Sequence, residues 1–98
     1  MTYSLRFSEK AEKAWSRLES GVREQFRKVL ERRLEQPRVP SARLRGGRDV
    51  YKIKLRDVGY RLVYQVQDRE IVVYVIAVGR RKEVHATLER LFGGRMHD

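Results

Sequence analysis

Ninety-eight residues with a formal net charge of +10 and no cysteine are expected to form one domain, 1–98, lacking disulfides and thiolate metal sites. No run approaches the roughly 20 apolar residues of a membrane span, and MTYSLRF lacks the apolar stretch of a signal peptide. The expectation is therefore a soluble cytoplasmic domain, with 41% hydrophobic residues to build its core.

Along the chain, Tyr3 to Phe7 is predicted as a short strand with Tyr3, Leu5 and Phe7 on one side. Ser8 caps a helix, Glu9 suits its first turn, and Ala11, Ala14, Trp15 and Leu18 form its apolar stripe. This helix is predicted to end near Ser20-Gly21. A second carries Val22, Phe26, Val29, Leu30 and Leu34 and stops before Pro37. The charged residues of both helices are read as a solvated outer face. Pro, Ser and Gly mark residues 38–49 as a loop, with Leu44 anchoring it to the core and Gly46-Gly47 turning it.

Three consecutive strands follow. In Tyr51-Lys52-Ile53-Lys54-Leu55 the apolar and cationic residues alternate. Arg56-Asp57-Val58-Gly59 forms a turn, and the next strand runs from Tyr60 to Val66. With Leu55 opposite Tyr60, Lys54 faces Arg61 and Ile53 faces Leu62. One face of this hairpin is then apolar, and the other bears Lys52, Lys54 and Arg61. Like charges directly opposite each other in a sheet are destabilising by up to about 1 kcal/mol. A bound polyanion reverses that penalty.

Ile71 to Val78 is apolar on both faces, as a central strand should be. Pairing Val66 with Ile71 carries Arg80 to the level of Asp57. It also places Val72, Tyr74, Ile76 and Val78 on the charged face. Gly79 is expected to break the strand before a basic knot, Arg80-Arg81-Lys82. Glu83 to Phe92 makes a last helix with Val84, Leu88, Leu91 and Phe92 as its apolar side, and Gly93 to Asp98 frays.

The charge is concentrated. Arg38, Arg43, Arg45, Arg48, Lys52, Lys54, Arg56 and Arg61 stand against only Asp49 and Asp57, which is six of the ten net charges. Arginine outnumbers lysine 17 to 6, and guanidinium forks suit phosphate oxygens. His85 and His97 lack metal-ligand spacing, and no phosphate-binding glycine motif occurs. No metal or cofactor is expected. A cationic set suits attack on a phosphodiester by the RNA's own 2′-hydroxyl, with the phosphorane charge stabilised electrostatically. Clustering also lowers a lysine pKa toward general-base use. The same cluster could simply grip phosphates.

YKIKLRDVGYRLVYQV followed by VVYVIAVGRRKEVH resembles the RelE family of bacterial type II toxins, and the likeness extends from Tyr3 to about Leu91, including LEQPR and Leu44-Arg45-Gly46. The resemblance implies an α+β fold, a small antiparallel sheet packed on an N-terminal helical hairpin in the order β-α-α-β-β-β-α. It also implies a ribosome-dependent mRNA endonuclease acting in the ribosomal A site, and a RelB-like antitoxin partner. The family motif makes Lys54 the general base, aided by Lys52. Arg61 stabilises the transition state, Arg81 assists the leaving 5′-oxygen, and Arg45 holds RNA. Arg48, Arg56 and Arg80 are the further expected RNA contacts. His85 is counted with the catalytic set: it stands where the family, after a slightly longer knot, has a tyrosine, and an imidazole can stack on a base or exchange a proton. Two other readings share the scaffold: a ParE-like toxin acting on DNA gyrase, and a non-catalytic RNA- or antitoxin-binding module.

Overall fold

The computed structural model describes residues 2–93. The elements are β1 (Ser4–Phe7), α1 (Glu9–Ser16), α2 (Ser20–Glu35), a 3₁₀ turn (Pro40–Ala42), β2 (Val50–Leu55), β3 (Tyr60–Gln67), β4 (Val72–Arg80) and α3 (Arg81–Phe92). This is the α+β order expected from the sequence. The sheet order is β1-β4-β3-β2. The β2-β3-β4 meander is antiparallel, and β1 joins β4 in parallel, so the sheet is mixed.

Ser8 caps α1, its hydroxyl accepting the Ala11 N–H at 3.0 Å. The helix ends four residues sooner than expected, because Arg23 reaches back and donates to the carbonyls of Ser16 and Leu18 at 3.3 and 2.6 Å. The Ser16 carbonyl is one that the helix end leaves without an intrahelical partner. Ser20 and Gly21 open α2 instead of closing α1. Phe26 and Leu30 of α2 are buried against Tyr51, Ile53, Leu62, Tyr64, Val73, Val75 and Val78. A smaller core lies on the opposite face, where Val84 and Leu88 of α3 cover Leu44, Val50, Val63, Ile76 and Ala77. Leu91, expected in that core, is 57% exposed.

The β3–β4 register differs from expectation. Val66 pairs with Val73, two residues beyond Ile71. Ile71 closes the turn, with φ +55° and its N–H donating to Asp68 O at 3.1 Å. A bulge follows: Tyr64 pairs with Val75 but Val63 with Ala77, leaving Ile76 as the extra residue. The bulge switches the alternation, so Val78 joins the helical-hairpin core while Tyr74 and Ile76 stay on the α3 side. Arg80 comes opposite Tyr60, not Asp57, and Gly79 comes opposite Arg61.

Gly79 continues β4 instead of breaking it, and α3 begins directly at Arg81. Its φ is +150°, and a Cβ there would lie 3.0 Å from Glu83 Oε1. That carboxylate accepts the Arg80 N–H at 2.9 Å and fixes the strand-to-helix junction. Gly79→Ala should therefore lower stability by about 1–3 kcal/mol, read as a drop in thermal midpoint. Past Gly93, which closes α3 with φ +63°, the expected fraying concerns residues outside the described ones.

Candidate active site

Alternation along β2 puts Val50, Lys52 and Lys54 on the face covered by α3, and the pairing sets Lys54 directly opposite Arg61 and Lys52 opposite Val63. Apolar residues of this face sit under α3, and Lys54 and Arg61 lie where α3 begins, in one pocket with Arg81. Lys54, Arg56, Tyr60, Arg61 and Arg81 line one shallow pocket of about 270 Å³. Four cations from β2, the β2–β3 turn, β3 and α3 thus meet at one end of the sheet. Arg81 is the first residue of α3, where the helix dipole disfavours a cation and favours an anion.

The electrostatics follow from that crowding. Partial burial first, then the charges of Lys52 and Arg61 and a hydrogen bond with Lys52, hold the Lys54 ammonium pKa below its ordinary 10.5. Arg56 acts in the same direction. Arg61 is likewise lowered, by burial first and then by Arg81. Lys54 is thereby moved toward proton acceptance, while the guanidinium groups remain charged.

Other expected site residues lie elsewhere. The loop bearing Arg45 runs beside the start of β2, joined by the Arg43–Tyr51 bridge and by the Leu44 N–H on Val50 O at 2.9 Å. Arg45 lines a separate pocket with Pro40 and Gly46, at the opposite end of β2 from Lys54. Arg48, exposed on the same loop, gives its carbonyl to Gln65 Nε2 at 3.2 Å. Arg80 lies over the Tyr60 ring, 4.9 Å from its centroid, and lines the neighbouring cleft and not the pocket itself. His85 is one turn beyond Arg81 on the same helical stripe, exposed, with Nε2 3.3 Å from Glu89 Oε1.

One residue that positions this surface, Arg33, was missed from sequence, and one counted in the patch, Arg38, is engaged elsewhere. Arg33 donates to Lys52 O at 3.2 Å and to Tyr64 Oη at 2.8 Å, and Tyr64 in turn donates to Pro37 O at 2.7 Å. It therefore ties α2 to the backbone of the edge strand at Lys52. Its spacing was a usable signal, since it lies three residues after Leu30 and seven after Phe26, on the buried stripe. Arg33→Ala should lower stability by about 1–3 kcal/mol in chemical denaturation, because it strips a partner from the buried Tyr64 hydroxyl. Arg38, counted above with the cations of the patch, is engaged by carboxylates. It bonds Asp49 at 3.3 and 3.2 Å and Asp68 at 3.1 and 2.8 Å. Hydrogen bonds from Arg38 and then Tyr3 hold Asp68 below its usual carboxylate range.

Among the described residues no three His, Cys, Asp or Glu side chains group to hold a metal ion, and no helix is long and apolar enough to cross a membrane. The model of the ParE toxin of the type II toxin–antitoxin system parDE matches residues 5–85. The mRNA interferase toxin RelE of Escherichia coli is 56% identical over 82 residues, covering 84% of this chain and 86% of that protein. The toxin in the crystal structure of the intact E. coli RelBE toxin–antitoxin complex superposes with a TM-score of 0.78 at 56% identity, over 80% of this chain and 95% of that one. A mutant of E. coli toxin RelE in the free state gives 0.83 at 51% identity, over 93% and 99%.

Proposed function

The chain belongs to the RelE/ParE family of type II toxins, and from that premise we propose that its cationic pocket cleaves mRNA on the ribosome. It is the toxin of a toxin–antitoxin pair and an mRNA interferase, an endoribonuclease. The observation that carries the catalytic reading is Lys54 directly opposite Arg61, with Arg81 in the same pocket.

Neutral Lys54 takes the proton from the 2′-hydroxyl of the nucleotide 5′ to the scissile bond, with burial first and then Lys52 and Arg61 keeping its pKa low. The 2′-oxygen attacks phosphorus, and Arg61 holds the phosphorane charge. Arg81 supports the negative charge that develops on the departing 5′-oxygen. The P–O5′ bond breaks, giving a 2′,3′-cyclic phosphate and, once the oxygen is protonated, a 5′-hydroxyl. Arg56, in the same pocket, adds a phosphate contact. Arg45 and Arg48 contact RNA farther along β2.

A RelB-type antitoxin is the protein partner, and the basic surface suits an acidic one. The working site is the A site of the bacterial ribosome, beside 16S rRNA, in the cytoplasm. His85 faces the RNA from α3 in place of the family's tyrosine, stacking on a base. The gyrase reading is weaker, because a DNA gyrase ligand needs no cross-strand Lys–Arg pair. The test adds the protein to a translating extract. Cleavage within ribosome-bound mRNA, with little cutting of naked RNA, is the expected result. Intact mRNA together with inhibited DNA supercoiling would replace this reading with the gyrase one.

A further inference from the structure

A second cationic site adjoins the catalytic pocket. A cleft of about 440 Å³ between α1, β4 and the start of α3 is lined by Lys10, Lys13, Arg17, Tyr60, Arg80 and Glu83. Lys10, Lys13 and Arg17 are spaced i, i+3, i+7, so one stripe of α1, extended by its C-cap residue Arg17, presents all three, over about 10 Å at 1.5 Å per residue. Glu9 and Glu12 of the same helix do not line the cleft, and the Glu9–Lys13 ion pair, 3.9 Å and highly exposed, is weak. The one carboxylate present, Glu83, already accepts the Arg80 N–H at 2.9 Å. Four cations therefore face one engaged acid.

Tyr60 lines both the cleft and the catalytic pocket. Arg80 stands over its ring on the cleft side, while Arg81, the next residue, lines the catalytic pocket. A chain of phosphates leaving the pocket across Tyr60 meets Arg80 first and the α1 stripe next. We infer that this cleft is a binding site for RNA phosphodiester backbone, continuous with the catalytic pocket through Tyr60 and Arg80. Separated charges along a groove suit a repeating anion better than a compact one.

The inference rests on the RNA-directed reading of the catalytic pocket, so its test reads binding and not cutting. The ligand chemistry has two sources, the message strand and ribosomal RNA. The full chain and its Lys10→Gln/Lys13→Gln/Arg17→Gln variant are titrated, across a salt series, with a 2′-O-methyl oligoribonucleotide and separately with ribosomes free of mRNA. The oligonucleotide lacks the attacking hydroxyl, so its binding is informative whether or not the chain cleaves RNA. In at least one arm the salt slope of log affinity should fall by about 2, from three lost phosphate contacts at about 0.7 each. Loss with the oligonucleotide assigns the cleft to the message strand, and loss with ribosomes assigns it to ribosomal RNA. A charge-preserving Lys10→Arg/Lys13→Arg/Arg17→Lys variant should retain the slope. Should the triple Gln variant unfold, the exposed single reversal Lys13→Glu gives the comparison on a smaller scale, with the slope falling by about 0.7 for its one lost contact. Unchanged slopes in both arms, or a loss confined to antitoxin binding, would overturn the inference.

Discussion

Replacing Lys54 with alanine should lower mRNA cleavage on ribosomes by about 10²–10⁴-fold, the usual worth of a positioned general base. The protein should stay folded, with its thermal midpoint unchanged or raised. Burial, then Lys52 and Arg61, hold the Lys54 pKa below 10.5. The unfolded chain therefore binds this proton more tightly than the folded one. By linkage, Lys54's contribution to stability rises with pH between the lowered value and 10.5. Below that window the protonated amine is disfavoured in the fold, so deleting it removes a destabilising charge. The rate has the same sign. Cleavage should climb with pH as Lys54 becomes neutral, with the midpoint of the rise below 10.5, and lose that dependence in Lys54→Ala. Single-turnover rates on stalled ribosomes across a pH series, with melting curves of both proteins, check these outcomes.

Arg61→Ala should cost about 10²–10³-fold, the worth of one donor aimed at developing negative charge. It should also move the pH profile. Arg61 contributes to the lowered Lys54 pKa, so its loss returns that pKa toward 10.5 and shifts the rising limb to higher pH. Arg61→Lys preserves the charge but not the planar fork. It should keep the rising limb near its original position while recovering only part of the rate. A rate loss in Arg61→Ala with no displacement of the limb would separate Arg61 from the lysine it faces.

The two halves of the pocket differ in how far the sequence reveals them. Alternation in YKIKL and a Gly-containing turn of fixed length leave one sensible register, so Lys54 opposite Arg61 could be read directly. β4 offers no such guide. It is apolar on both faces, so nothing in its pattern marks Ile76 as an extra residue or shows that Val78 changes sides. Gly79 reads as a breaker because glycine usually is one, yet its φ of +150° carries the strand on to Arg80 and starts α3 at Arg81. That extension separates the basic knot, with Arg80 going to Tyr60 and Arg81 to the pocket. The structure also divides the expected RNA-binding set, since a loop places Arg45 and Arg48 and no periodicity governs a loop. Charge counts mislead where partners are distant in sequence, as with Arg38 on Asp49 and Asp68.

The most direct test maps the 5′ ends of cellular mRNA after brief expression of the toxin, with Lys54→Ala as the control. New ends should carry 5′-hydroxyls, recur in phase with the reading frame, and vanish in the control. Unphased ends, or the same ends produced by the Lys54→Ala protein, would contradict a ribosome-bound cut made by the β2–β3 cations.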